Sequence, residues 1–276
     1  MRVVSATAGA VAFVVLATAC ASSTTAVRTG AVSHKRILYV VGMEDEQRIA
    51  SGDDAIVVVS GANRAHLERE LAKVDASQVS AVLSFGVAGA LRPWLRPGAI
   101  VVADGVVDEH GKKFAVDREL TSAALLRLAK LPVHRATFLG MDSIIIEPAG
   151  RARVRSELHA GVVDMESHIA AQWAAAHHLP FAVVRTISDA STLAVPDAML
   201  HSINADGTIN IANVASSVWS QPSQIPTLVS TSEGYAKALD ALARCRRALS
   251  VTTDECEPCP RSPEANRVNT ARARTD

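Results

Sequence analysis

The sequence predicts one α/β domain, three layers deep (α/β/α), built around a largely parallel mixed sheet. Two observations predict it. Between about residues 36 and 249, short apolar runs alternate with helical patterns, the order expected of strands laid side by side through helical crossovers. The composition is 49% hydrophobic but only 4% aromatic. That mix suits a core of small aliphatics packed against strands buried on both faces. At 276 residues the chain could hold one large domain or two small ones. No Pro/Gly/Ser-rich stretch divides the alternation, and no internal repeat is visible, so the reading is a single domain.

The strands are expected at 37–41, 55–59, 81–85, 100–107, 136–139, 162–164 and 181–185, each a short apolar run too brief for a helix. Helical periodicity falls at 64–73, 120–130, 149–158, 167–178 and 225–249. In sheets of this kind ligands bind beyond the carboxyl ends of the strands. The polar residues that follow the apolar runs are therefore the candidates for chemistry: Glu44-Asp45-Glu46, Ser60-Gly61, Gly86 to Gly89, Asp142-Ser143, Met165-Glu166 and Ser188-Asp189.

The ends of the chain read differently. Met1-Arg2 precedes a mainly apolar stretch from Val3 to Ala17, followed by Thr18-Ala19-Cys20. One positive charge, a short apolar region and small residues before a cysteine form the layout of a secretory signal. A cysteine directly after Ala19 also resembles a bacterial lipoprotein signal, in which Cys20 is lipidated. Residues 1–20 are thus expected to be a signal peptide or lipoprotein signal, 21–35 a linker, 36–249 the folded domain and 250–276 a disordered tail. The localisation this implies is exported, either membrane-anchored or periplasmic. The alternative is a cytoplasmic enzyme whose start lies downstream of Met1.

Several function classes are excluded. Lys+Arg and Asp+Glu both number 28, so nothing in the balance points to a nucleic-acid backbone. There is no phosphate loop, no dinucleotide fingerprint and no hydrolase elbow. The histidines show no ligand spacing, and Cys256-x-x-Cys259 has no second ligand pair, so no metal site is expected.

The strand-end residues resemble, in order, the signature blocks of the purine nucleoside phosphorylase and methylthioadenosine/S-adenosylhomocysteine nucleosidase superfamily. Val41-Gly42-Met43-Glu44-Asp45-Glu46 resembles Gly-Ala-Met-Glu-Glu-Glu, and Ser60-Gly61-Ala62-Asn63 resembles Ser-Gly-Ile-Gly. Ser84 to Leu91 and Arg96 to Val102 resemble the glycine-rich segment and the strand after it. Val163-Asp164-Met165-Glu166 is similar to Val-Glu-Met-Glu, and Leu179-Pro180-Phe181 through Ser188-Asp189 to Val-Pro-Phe…Arg-Ala-Ile-Ser-Asp. A narrower resemblance, through Asp164 to His168, Ser188-Asp189-Ala190, Pro196 and Gln221 to Pro226, is to the hopanoid-associated phosphorylase branch. That branch is thought to remove adenine from adenosylhopane.

The resemblance implies cleavage of the N-glycosidic bond of a purine nucleoside, with no cofactor and with inorganic phosphate or water as co-substrate. Asp189 would pass a proton or hydrogen bond to purine N7, so its carboxyl must carry a proton while substrate is bound, which burial favours. Glu46 would orient the nucleophile, and Glu166 would accept hydrogen bonds from the ribose hydroxyls. Met165, Ser188, Gly86, Ala88, Gly89, Ser143 and Ile144 would complete the substrate site. Phosphate-using relatives carry an Arg-x-Gly-Ser clamp where this chain has Ser84-Phe85-Gly86-Val87. Arg48, with Ser60 and Gly61, is the replacement available for holding phosphate, and on it the choice between phosphorolysis and hydrolysis turns, with phosphorolysis favoured slightly. The partners implied are a small-molecule nucleoside, a lipid anchor and further copies of the chain. The competing reading is a nucleoside-binding lipoprotein without turnover. The retention of Glu46, Glu166 and Asp189 together favours the enzyme.

Overall fold

The structure is a computed structural model that describes residues 35–200, 202–204 and 206–250. The expected signal with Cys20, most of the linker, and the tail with Cys256 and Cys259 lie outside the described residues.

Eight strands form the sheet: β1 (Arg36–Val41), β2 (Ala55–Val59), β3 (Val79–Ala90), β4 (Ile100–Asp108), β5 (Lys113–Phe114), β6 (Val133–Gly140), β7 (Val162–Asp164) and β8 (Phe181–Asp189). Helices α1 (Glu44–Ala50), α2 (Arg64–Leu71), α3 (Arg118–Arg127), α4 (Pro148–Leu158), α5 (Ser167–Ala176), α6 (Asp197–Leu200), α7 (Ile211–Ser220) and α8 (Ile225–Ser250) surround it. The expected strands and helices are all present. The structure adds β5, α1, α6 and α7, all but α1 and α7 of four residues or fewer.

The pairing is mixed and mainly parallel. β1 runs parallel to β2 and β3, β3 to β8, and β6 to both β4 and β7, while β3–β7, β4–β5 and β4–β8 are antiparallel. Five of these strands close a ring: β3 pairs β8, β8 pairs β4, β4 pairs β6, β6 pairs β7, and β7 returns to the end of β3. The sheet is thus part open fan and part barrel.

The layers follow from the alternation of side chains along a strand. On β1, Leu38 and Val40 enter a core shared with Leu67 and Leu71 of α2 and with Ile169, Ala170 and Ala174 of α5. Tyr39 and Val41 enter the opposite core, with Ala124 of α3 and Ala241, Leu242 and Cys245 of α8. Both faces being covered, the strand needs apolar residues at consecutive positions, as its sequence has. α8 buries Gly234, Ala238, Ala241, Leu242 and Cys245, a stripe at helical spacing that packs on β8, β3 and α1. No helix among the described residues is long and apolar enough to cross a membrane.

Candidate active site

Strand ends on one side of the sheet meet in a cavity of about 480 Å³. Its polar floor starts where β1 ends. The chain turns through Gly42 and Met43 into α1, and Glu46 stands at the third position of that helix, so its side chain folds back over the turn. Glu46 Oε2 accepts from the backbone N–H groups of Gly42 (2.6 Å) and Met43 (3.1 Å), and Oε1 accepts from that of Val87 on β3 (2.9 Å). A side chain at position 86 would destroy this arrangement, since a Cβ on Gly86 would lie 2.6 Å from Glu46 Oε2. Glu46 is 1% exposed. Burial pushes its carboxyl up to about 7, an effect opposed by the Arg185 guanidinium and reinforced by the Glu166 carboxylate.

Glu166 lies at the start of α5, and its Oε1 accepts from the Ser60 hydroxyl at 2.7 Å. Its Oε2 meets Nη2 of Arg185 at 3.0 Å. Arg185 follows directly on the apolar run Phe181–Val184 of β8 and is 1% exposed. A guanidinium so placed needs partners on every side. Its Nε lies 3.0 Å from Asp164 Oδ2, and it donates to Ser84 Oγ at 2.8 Å and to the Val87 carbonyl at 2.9 Å. Burial alone would draw its pKa down; Asp164, Glu166 and Glu46 together push it up. Asp164 in turn accepts from Ser167 N–H (2.9 Å) and Oγ (2.7 Å), which fixes the first turn of α5.

Two residues further along β3, Gly89 pairs with Asp189. A two-residue step on a strand is roughly 7 Å. Asp189 Oδ1 accepts from Ser188 Oγ at 2.7 Å, and Oδ2 is ion-paired with Arg151 of α4. Arg151 is 3% exposed and also donates to the Ala190 carbonyl at 3.2 Å. The burial expected to favour a proton on Asp189 comes together with an ion pair, because α4 delivers a buried guanidinium to the end of β8.

Of the residues expected from the sequence, the structure brings Glu46, Glu166, Met165, Asp189, Ser188, Ala88, Gly89, Ser143 and Ile144 together on the cavity lining. The segment carrying Ser143 and Ile144 is anchored by Asp142, which pairs with Arg64 at 2.9 Å and with His168 Nε2 at 2.9 Å. Gly86 lies behind the lining, where it makes room for Glu46. The expected phosphate group does not assemble. Arg48 is 63% exposed on the outer face of α1, paired with Glu44 at 2.8 Å and Asp45 at 2.5 Å, and does not line the cavity. The reason is helical geometry: Arg48 is two positions from Glu46, so the two side chains leave the helix on opposite sides. Ser60 is committed to Glu166, and neither it nor Gly61 lines the cavity.

Sequence reasoning assigned no role to Arg151, Arg185 or the apolar wall. Arg185 had a usable signal, a charge directly after the apolar run of β8. Arg151 had none, since α4 carries Arg151, Arg153 and Arg155 and only packing singles one out. The wall comes from Leu193, Val195, Met199, Ile209, Val214 and Leu228, around α6, α7 and the start of α8.

No curated protein sequence matches this chain. Among solved structures, the fold is similar to the 5′-methylthioadenosine/S-adenosylhomocysteine nucleosidase of Neisseria meningitidis in complex with methylthio-immucillin-A, with TM-score 0.60 and 16% identity over 78% of this chain and 98% of that one. It is also similar to the futalosine hydrolase of Helicobacter pylori, with TM-score 0.58 and 17% identity over 78% of this chain and 97% of that one. The S-adenosylhomocysteine nucleosidase of Streptococcus pyogenes gives TM-score 0.58 and 18% identity, covering 80% of this chain and 98% of that one. The family model described as the Phosphorylase superfamily matches residues 3–218. With that match over most of its length and the nucleoside phosphorylase/nucleosidase-like fold around the cavity, the chain belongs to the phosphorylase superfamily.

Proposed function

We propose that this chain hydrolyses the N-glycosidic bond of an adenine-type nucleoside, using water. One observation carries the choice of nucleophile: both guanidinium groups on the cavity lining already face carboxylates, Arg185 with Asp164 and Glu166, Arg151 with Asp189. A phosphate dianion needs several charge-assisted donors, and Arg48, on which phosphorolysis depended, faces solvent. Water needs only a base, and Glu46, with its carboxyl near 7, is poised to be one at neutral pH.

The step of roughly 7 Å along β3 leaves a sugar ring between water held at Glu46 and a purine held at Asp189. With substrate bound, Asp189 takes up a proton from solvent in place of its ion pair with Arg151; as the C1′–N bond breaks, Glu166 holds the ribose hydroxyls and Asp189 delivers that proton to the purine. Arg151 then stabilises the carboxylate left behind. The apolar wall supports a substrate with an apolar 5′ substituent, the adenosylhopane of the hopanoid branch among them, because a free hydroxyl would find few partners there. The signal read at residues 1–20 would put such an enzyme at a membrane, and fractionation of a Cys20→Ala variant tests that placement. A protein that only bound nucleosides would have no use for a buried carboxyl in the neutral range.

The test is adenine release from adenosine and methylthioadenosine, with and without phosphate. The expected outcome is release that ignores phosphate and yields free sugar. A sugar 1-phosphate in saturating phosphate would reverse the choice of nucleophile, and no adenine at all would end the catalytic reading.

A further inference from the structure

α7 carries more apolar surface than the cavity uses. At about 100° per residue, Val214, Val218, Ile211, Ala215, Trp219 and Ala212 fill one arc of less than half the helix's circumference. Val214, at one edge of that arc, lines the cavity together with Ile211. Trp219, towards the other edge, does not line it and is 89% exposed. The start of α8 repeats the pattern: Leu228 lines the cavity, while Ile225 and Val229 stand exposed. Gln224 holds the pieces together, its Nε2 donating to the Ser217 carbonyl at 3.0 Å and its Oε1 accepting from Ala198 N–H at 3.1 Å. Ile211 belongs to both surfaces, lining the cavity and being 72% exposed, so the apolar lining continues onto the outside of the molecule.

Two features identify what covers this face. From Gly207 to Ser232 the chain has no Asp, Glu, Lys or Arg, although 20% of the whole sequence is charged. The polar side of α7 is Asn213, Ser216, Ser217 and Ser220, all small and uncharged. A protein partner is normally selected through a polar rim with charges to match, and this segment offers none. A bilayer asks only for bulky apolar side chains that enter it and a polar side that rests among the headgroups, with tryptophan favoured at that depth. The second feature is the tether. Residues 21–34, between the Cys20 expected to be lipidated and Lys35, reach about 45 Å when extended, roughly twice the length of β1. An anchor at Cys20 therefore leaves this face free to reach the bilayer. We propose that the exposed face of α7 and the start of α8 is a membrane-docking surface, which sets the apolar wall of the cavity on a zwitterionic, loosely packed bilayer. Trp219, Ile225 and Val229 enter the bilayer, and Ile211 passes an apolar-tailed nucleoside from it into the cavity. With no cation in the segment, docking draws nothing from anionic headgroups and depends on gaps between them, which curvature opens. The substrate's route rests on the proposed reading of the wall as the seat of an apolar 5′ substituent; the docking does not.

The experiment compares the full chain with its Trp219→Ser variant, on small sonicated and large extruded vesicles of phosphatidylcholine. Both chains carry the same N-terminus, so the difference between their emission spectra belongs to Trp219. That emission is expected to shift to the blue and to be quenched by brominated acyl chains, more strongly on the small vesicles and regardless of added salt. Trp219→Ser should slow cleavage of a long-chain 5′-alkylthioadenosine carried in the vesicles at least about fivefold, with methylthioadenosine cleavage in solution and the thermal midpoint unchanged. A Trp219 whose emission stays that of a water-exposed ring overturns the inference, as does quenching that needs anionic lipid. So does a full chain that self-associates in solution and comes apart on Trp219→Ser, which gives the face to a second copy. A chain whose Trp219 enters the bilayer but which releases no adenine leaves the docking standing and takes down the hydrolytic reading instead.

Discussion

The floor of the cavity and its apolar wall are held in place by different means. Around Arg185 the floor is fixed from several elements at once: β3, β7, β8 and the start of α5 each supply a group, and the one guanidinium holds the carboxylates of both Asp164 and Glu166. The wall is held mainly by local backbone bonds. No residue of α7 is buried, and the ties of the segment before it include the Ile203 to Ile209 bridge, Asn210 N–H to the Ser202 carbonyl, Glu44 N–H to the Gly207 carbonyl and the Asn210 cap on Asn213 N–H, with no ion pair among them. A site built this way keeps its reacting groups in register while the part that reads the substrate's tail can repack. Under the proposed function, chemistry would sit on the rigid half and selectivity on the adaptable one.

The comparison breaks most severely at Arg185. Arg185→Met leaves Asp164 and Glu166 buried without their cation, and should destabilise the fold by about 3–5 kcal/mol in urea denaturation. A loss within the range of surface substitutions would mean that the floor is not the rigid half.

Next comes Glu46. With its folded pKa near 7 against 4.5 for a freely solvated glutamate side chain, the protonated form is favoured by folding. Its contribution to stability is full below about pH 4.5 and is lost as pH rises through 7. Activity should run the other way, rising through pH 7 as the base is freed. Glu46→Gln should abolish turnover and remove that part of the pH dependence of stability, measured by thermal melts between about pH 4.5 and 8.

A smaller, more selective effect is expected at the wall. Val214→Ser should raise KM several-fold for substrates with an apolar 5′ group while leaving adenosine nearly unchanged. Equal losses for both would show the wall reads something other than the tail. Smallest of all is Arg48→Ala, on the outside of α1. Stability should barely move, as for exposed ion pairs, with activity the same in the presence or absence of phosphate.

Much of this was legible in the sequence, and the exceptions have physical causes. Glu46, Glu166 and Asp189 each follow an apolar run, and a strand end delivers whatever residue comes next to the same side of the sheet. Arg48 was misplaced because closeness in sequence is not closeness on a helix, where a two-residue step reverses direction. Arg151 could not be picked from its neighbours because its burial depends on what α4 packs against. The wall was missed for a related reason: α7 has an apolar stripe, but nothing local says that its face meets a cavity.

The closed ring of strands has a consequence for the order in which this protein comes into being. β3 is made early and β8 late, yet Ser84 meets Arg185 across 101 residues. Glu46 leaves the ribosome long before the guanidinium that offsets its burial. No nascent fragment ending before β8 can hold a nucleoside, and closing so long a loop is slow compared with forming any of the helices. Binding competence therefore arrives last, after most secondary structure exists, and a nucleoside analogue added during refolding reports ring closure rather than collapse.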